Sequence, residues 1–147
     1  VHLCHGMSYP VSGMVKNFIP HGLTSDHPII PHGLSVILNA PAVFKFTGEA
    51  CPERHLKVAK IMGAKINNIK DPKNEAGLIL SNEIIKLMKD LEVPNGLSAI
   101  GFNKNDITNL IKGTLPQHRV TKLSPRSANA EDLNKLFNDS MTLWWKT

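Results

Sequence analysis

The stretch LCHGMSYPVSGMVKNF, residues 3–18, sets the structural class. Leu3, Met7, Val11, Met14, Val15 and Phe18 recur at alternating helical steps, which lines them along one face of an α-helix. Pro10 falls inside this pattern. It has no N–H, and its ring crowds the carbonyl of Gly6, so a kink or restart is expected there.

Working outward, residues 19–30 hold Pro20, Gly22, Pro28 and the polar group Thr24-Ser25-Asp26, a loop composition. In PHGLSVILNAP, residues 31–41, Pro31 suits the first turn of a second helix through Ser35 and Leu38. Pro41 breaks or bends it, and a further turn carries Val43, Phe44 and Phe46. Pro52 starts another helix that buries Leu56, Ala59 and Met62 and stops at Gly63. After the polar connector KINNIKDPKN, a long helix is expected from about Glu75, with Leu80, Ile84, Leu87, Met88 and Leu91 inward and PNG at 94–96 closing it. Asn103 with Asp106, then Asn129 with Asp132, mark two more helix starts. The last helix is expected to run through Leu133, Leu136, Phe137, Met141 and Trp144. The class is all-α, with six or seven helices in one domain over residues 1–147.

A chain of 147 residues is long enough for one domain with a core. No apolar run approaches the roughly 20 residues of a spanning helix, so no membrane role is expected. The formal charge of +5 comes from lysines spread along the chain. Without a basic stripe and interleaved aromatics, nucleic acid is not an expected partner. A basic helical binding module without catalysis remains the alternative of another class. Cys4 and Cys51 form no CxxC pair and suggest no disulfide framework. Because the chain starts at Val1, amid an apolar pattern, it reads as a fragment of a longer protein, and the absence of a leader carries no weight.

Seven histidines are present, and His2, His5, His21, His27 and His32 fall within the first 32 residues. Neutral imidazole is a common ligand of zinc and iron. His5 and His32 each precede a glycine that leaves space beside the ring. The spacing leaves two readings open: satisfied core histidines, or two arms of a metal site. His21 is also followed by glycine, but PHGLTSDHP stays in a loop. His55 and His118 are expected at the surface. Cys4 is not expected to share a metal with His5, since adjacent helical residues diverge by about 100°.

The motifs HGMSYP, PHGLSVILNAPAVF, PERHLKVAKIMGA, GLSAIGFNKNDITNLIKGTLPQ and RVTKLSPRSANAEDLNKLF resemble the C-terminal helical domain of the iron-containing alcohol dehydrogenase family. The likeness runs the length of the chain. The resemblance implies that His5 and His32 are two of four metal ligands. An aspartate and a third histidine would lie upstream, together with a glycine-rich nucleotide-binding domain. The implied cofactors are NAD and a divalent metal, iron or possibly zinc.

What the resemblance implies chemically is hydride transfer between small hydroxy acids and oxo acids through bound NAD, 4-hydroxybutyrate giving and 2-oxoglutarate receiving. An NAD-dependent oxidation of simple alcohols is the alternative. A mitochondrial location and a homo-oligomer are implied at the same level, and the fragment alone would be inactive. Relatives that oxidise alcohols often carry a second histidine four residues after the first. Here Tyr9 stands in that place, either relaying a proton through its hydroxyl or simply packing. Substrate carboxylates need a cation. Arg54, Arg119 and Arg126 are available, each expected in a surface or interhelical ion pair.

Overall fold

A computed structural model describes residues 1–145; Lys146 and Thr147, at the end of the expected domain, lie outside the described residues. Eight α-helices follow in order: α1 (Leu3–Met14), α2 (His32–Ile37), α3 (Ala40–Thr47), α4 (Pro52–Ile61), α5 (Pro72–Asp90), α6 (Ile107–Thr114), α7 (His118–Thr121) and α8 (Ala130–Met141). Single 3₁₀ turns lie at Gly48–Ala50, Leu97–Ile100 and Lys104–Asp106, and no strand occurs among the described residues. The fold is all-α, as expected, although the short α7 was not anticipated.

Helix α1 runs unbroken through Pro10, against expectation. The proline forfeits a backbone bond, but its ring is buried against Gly113 of α6, where any Cβ would collide with it. Burial outweighs the local penalty. The helix stops at Met14 because Val15 turns to an extended conformation, ψ 132°. Val15 and Phe18 therefore reach the core from the following loop rather than from a helix face.

The bundle is organised around two long neighbours. Helix α1 packs on α6, α2 and α7, α5 packs on α3 and α4, and α8 bridges α6 and α3. Leu3, Met7 and Val11 of α1 join Leu38, Val43, Leu110 and Phe137 in one core. Each such side chain contributes about 1.5–3 kcal/mol on burial. On α5 the buried stripe is Ala76, Leu80, Ile84 and Met88, a strict four-residue step. Leu87 and Leu91, expected inward, fall off that narrow stripe and are exposed. On α4 the inward face is His55 and Ala59, with Leu56 and Met62 only half-buried.

Both asparagine–aspartate pairs form capping boxes, in which each side chain bonds the other's backbone N–H region. PNG does more than end α5. The Asn95 carboxamide oxygen accepts from Leu143 N–H and Trp144 N–H at 2.9 and 3.0 Å. Gly96, at φ 78°, lies directly beneath the carbonyls of Ser140 and Met141, where a side chain has no room. This clamp ends α8 at Met141, so Trp144 follows outside the helix, not on its inner face as expected.

Candidate metal centre

Helices α1 and α2 meet at a face where His32 is exposed and His5 and Tyr9 are half-buried. The rings of His5 and His32 are 5.3 Å apart between centroids, edge to face at 61°. Tyr9, one helical turn after His5, stacks beside His32 at 6.5 Å and 29°. In both segments the serine three residues further on is fully buried and donates to the histidine's own carbonyl. Ser8 does so to His5 and Ser35 to His32, each at 2.8 Å. That bond fixes the helical turn that carries each ring. Sequence reasoning missed it, though HGMS and HGLS spell the same spacing twice.

The HGLT run at 21–24 does not fold this way. Gly22 sits at φ 80°, His21 is exposed, and the segment forms a turn rather than a helix. His27 is exposed in the same loop, with its Nδ1 2.6 Å from the Asp26 carboxylate. The two glycines of the site also differ. A methyl group on Gly6 would overlap the Thr121 side chain, so Gly6 admits α7 against α1. Gly33 has open space where its side chain would project.

A tetrahedral ion held about 2 Å from one nitrogen of each of two imidazoles puts their centroids roughly 5 Å apart. The observed separation of 5.3 Å fits that demand. Burial, aided by the neighbouring His32, lowers the pKa of His5 below the usual imidazole value. Its neutral, metal-binding form therefore persists to lower pH. Neither ring nitrogen of His5 or His32 is engaged in a hydrogen bond among the described residues. The described residues hold no group of three or more histidine, cysteine or carboxylate side chains placed for one metal. This face offers two imidazoles.

His55 corrects an expectation. It is buried, not at the surface. Its Nδ1 lies 2.9 Å from the Cys51 carbonyl, an acceptor only, so Nδ1 carries the proton. Its Nε2 then accepts from the Thr47 hydroxyl at 2.9 Å. Phe44 packs edge-on against His55 and also against His2. These rings line a cavity of about 370 Å³ with Val58, Met62 and Leu80. His2 has a lowered pKa, chiefly from burial, with His5 and His55 adding to it. Cys4 is on the buried face of α1 and its thiol pKa is pushed up to about 12 by that burial, which leaves it inert. His118 is exposed, as expected.

The three arginines separate clearly. Arg126 forms the anticipated ion pair, its Nη1 2.8 Å from Glu49, and also donates to the Phe46 carbonyl at 3.1 Å. Arg54 is exposed beside the His2–His55 cavity and, against expectation, has no carboxylate partner among the described residues. Arg119, on α7, departs from expectation: it has no carboxylate partner among the described residues and donates from Nη2 to the Tyr9 hydroxyl at 3.1 Å.

The architecture is an all-helical bundle that presents two imidazoles side by side from the first turns of facing helices. The chain belongs to the Fe-containing alcohol dehydrogenase family, whose C-terminal family model matches residues 1–141. It is 60% identical over 145 residues to a probable mitochondrial hydroxyacid-oxoacid transhydrogenase of Dictyostelium discoideum, covering 98% of this chain and 26% of that protein. The mitochondrial hydroxyacid-oxoacid transhydrogenase of Bos taurus is 54% identical over 144 residues, covering 98% and 30%. The chain thus spans little more than a quarter of the length of these curated relatives. An alcohol dehydrogenase from Oenococcus oeni has the same fold, with a TM-score of 0.78 at 22% identity over 95% of this chain and 32% of that one. No helix among the described residues is long and apolar enough to cross a membrane.

Proposed function

We propose that residues 1–147 are the helical metal-binding part of a longer hydroxyacid-oxoacid transhydrogenase, with His5 and His32 as two ligands of a divalent metal, iron or zinc. The observation that carries this reading is the pair of imidazoles 5.3 Å apart with their nitrogens unengaged. The names of the relatives at 60% and 54% identity support the substrate class. An aspartate, a third histidine and the NAD-binding residues belong to protein outside this chain. The mitochondrial location rests on the relatives in the same way.

In this reading a hydroxy acid such as 4-hydroxybutyrate loses its hydroxyl proton and a hydride, and an oxo acid such as 2-oxoglutarate gains both. A metal held by His5 and His32 would supply Lewis acidity at the substrate oxygen, and NAD, held by residues outside this chain, would supply the hydride acceptor and donor. His5 and His32, carried on helical turns fixed by Ser8 and Ser35, orient the site. Tyr9 accepts a hydrogen bond from Arg119, so its own phenolic proton is directed elsewhere and is available to a substrate oxygen or a water. It thereby takes the place of the second histidine of alcohol-oxidising relatives.

The test uses the full-length enzyme, stripped of free NAD. Exchange of hydride between 4-hydroxybutyrate and 2-oxoglutarate should continue without added cofactor. Turnover that stops until NAD is supplied, with simple alcohols as the better substrates, would establish the ordinary dehydrogenase instead. A metal-free protein with steeply salt-dependent DNA binding would replace both readings with the basic module.

A further inference from the structure

Two of the chain's cations are already engaged by carboxylates. Arg126 is held by Glu49, the Phe46 carbonyl and the face of the Phe46 ring, 3.9 Å from its centroid. Lys16 bonds Asp106 at 2.7 Å. Arg119 differs. Its guanidinium carbon lies 5.6 Å from the Tyr9 ring centroid, and one nitrogen reaches the Tyr9 hydroxyl. Tyr9 in turn stacks on His32. A chain of contacts thus runs from the imidazole pair to an exposed cation with most of its donors uncommitted to side chains among the described residues.

The placement of Arg119 is built into the fold. It is carried by α7, a single short helix pinned against α1 where Gly6 makes way for Thr121. Val120, the residue between, is buried and anchors the turn. The packing of α7 on α1 therefore brings Arg119 to Tyr9, although the two are separated by 110 positions in sequence.

We propose that Arg119, oriented by Tyr9, binds the substrate carboxylate and sets the chain length that the enzyme accepts. This rests on the hydroxyacid-oxoacid reading above. In 4-hydroxybutyrate the carbon that loses hydride is separated from the carboxyl carbon by two methylenes. In 2-oxoglutarate the carbon that gains hydride is separated from the distal carboxyl carbon by the same two methylenes. One cation at one distance from the metal ligands serves both half-reactions, without a change in the site between them. The guanidinium presents a planar fork that matches a carboxylate, and the Tyr9 bond occupies only one of its five N–H donors. The predicted class of substrate is a carboxylate with its hydroxyl or oxo carbon two methylenes away. Acids one methylene shorter or longer are poorer substrates.

The experiment uses the full-length enzyme with Arg119→Gln, Arg119→Lys and Tyr9→Phe, and Arg54→Gln as the control. For Arg119→Gln, KM for 4-hydroxybutyrate and for 2-oxoglutarate should each rise about 10- to 100-fold, the loss of a charge-assisted contact. The KM for 1-butanol, which has no carboxylate, should rise far less than that for either acid, and the loss of Tyr9 orientation is read in kcat. Arg119→Lys should recover part of the loss, Tyr9→Phe should cause a smaller rise, and Arg54→Gln none. Calorimetric titration of 2-oxoglutarate into the metal-free protein gives a second readout, in which Arg119→Gln should weaken binding by a similar factor. Unchanged KM for both acids, or an equal rise for 1-butanol, overturns the proposal. If the wild-type enzyme exchanges no hydride between the acids, the transhydrogenase reading fails by itself. Calorimetry then decides Arg119: binding lost in the variant upholds it, and equal or absent binding in both proteins overturns it.

Discussion

His5 and His55 both sit in the first turn of a helix within one bundle, yet their rings are used differently. His55 has Thr47 on one nitrogen and Cys51 on the other and is 5% exposed. His5 faces a second imidazole across an open face, with its own bonding atoms unengaged among the described residues. The difference teaches that a histidine's role is set by what meets its two nitrogens, not by the helix that carries it. Local neighbours, four and eight residues upstream, make His55 structural. A distant helix makes His5 available.

The largest effects separate these two uses. In the full-length enzyme, His5→Ala or His32→Ala should lower bound metal, measured by elemental analysis, and reduce activity by more than about a hundredfold. His55→Ala should leave metal bound but cost about 2–4 kcal/mol in urea unfolding, since it opens a cavity and strands the Thr47 hydroxyl and Cys51 carbonyl. His21→Ala should change neither measurement. Metal loss from His55→Ala or His21→Ala as large as from His5→Ala would break the comparison.

A smaller effect tests how the open face is assembled. Gly6→Val should push α7 from α1, at a cost of about 1–3 kcal/mol in the same unfolding measurement. Unchanged stability would mean that α7 is not pinned there.

The smallest effect concerns a partnered carboxylate remote from both histidines. Lys16 foremost, together with the Asn103 N–H, holds the Asp106 carboxyl below its ordinary pKa of 3.8. Its contribution is therefore complete above that value and lost as pH falls through the lower folded one. Asp106→Ala should cost about 1 kcal/mol at neutral pH. The gap between variant and wild type should close in strong acid. A gap independent of pH would show that the charge contributes nothing there.

Much of the fold was legible because it is written locally. The two asparagine–aspartate pairs specify their helix starts within four residues, and Pro31, Pro41 and Pro52 each open a helix near where the sequence places them. That α1 does not restart at Pro10 was not legible, because its partner, Gly113, lies more than a hundred residues away. Trp144 was placed on a helix because the Asn95 clamp is equally non-local. At the site, the pairing of His5 with His32 was anticipated by resemblance and is visible in the geometry. The burial of His55 was not, since its position on α4 follows an outward-looking pattern of charged neighbours. Arg119 could not be placed at all, because only the packing of α7 on α1 brings it to Tyr9.

The segment between the two histidine helices has a practical consequence. Residues 15–31 are tied near their base by the Ile29 N–H bonding the Phe18 carbonyl at 2.9 Å, and the tip around His21–His27 is mostly exposed. Doubling such a loop adds only about 0.6 kcal/mol of closure entropy. The tip is therefore an insertion port. A tag grafted between Gly22 and Asp26 would leave the turns that carry His5 and His32, and the spacing between their rings, unaltered.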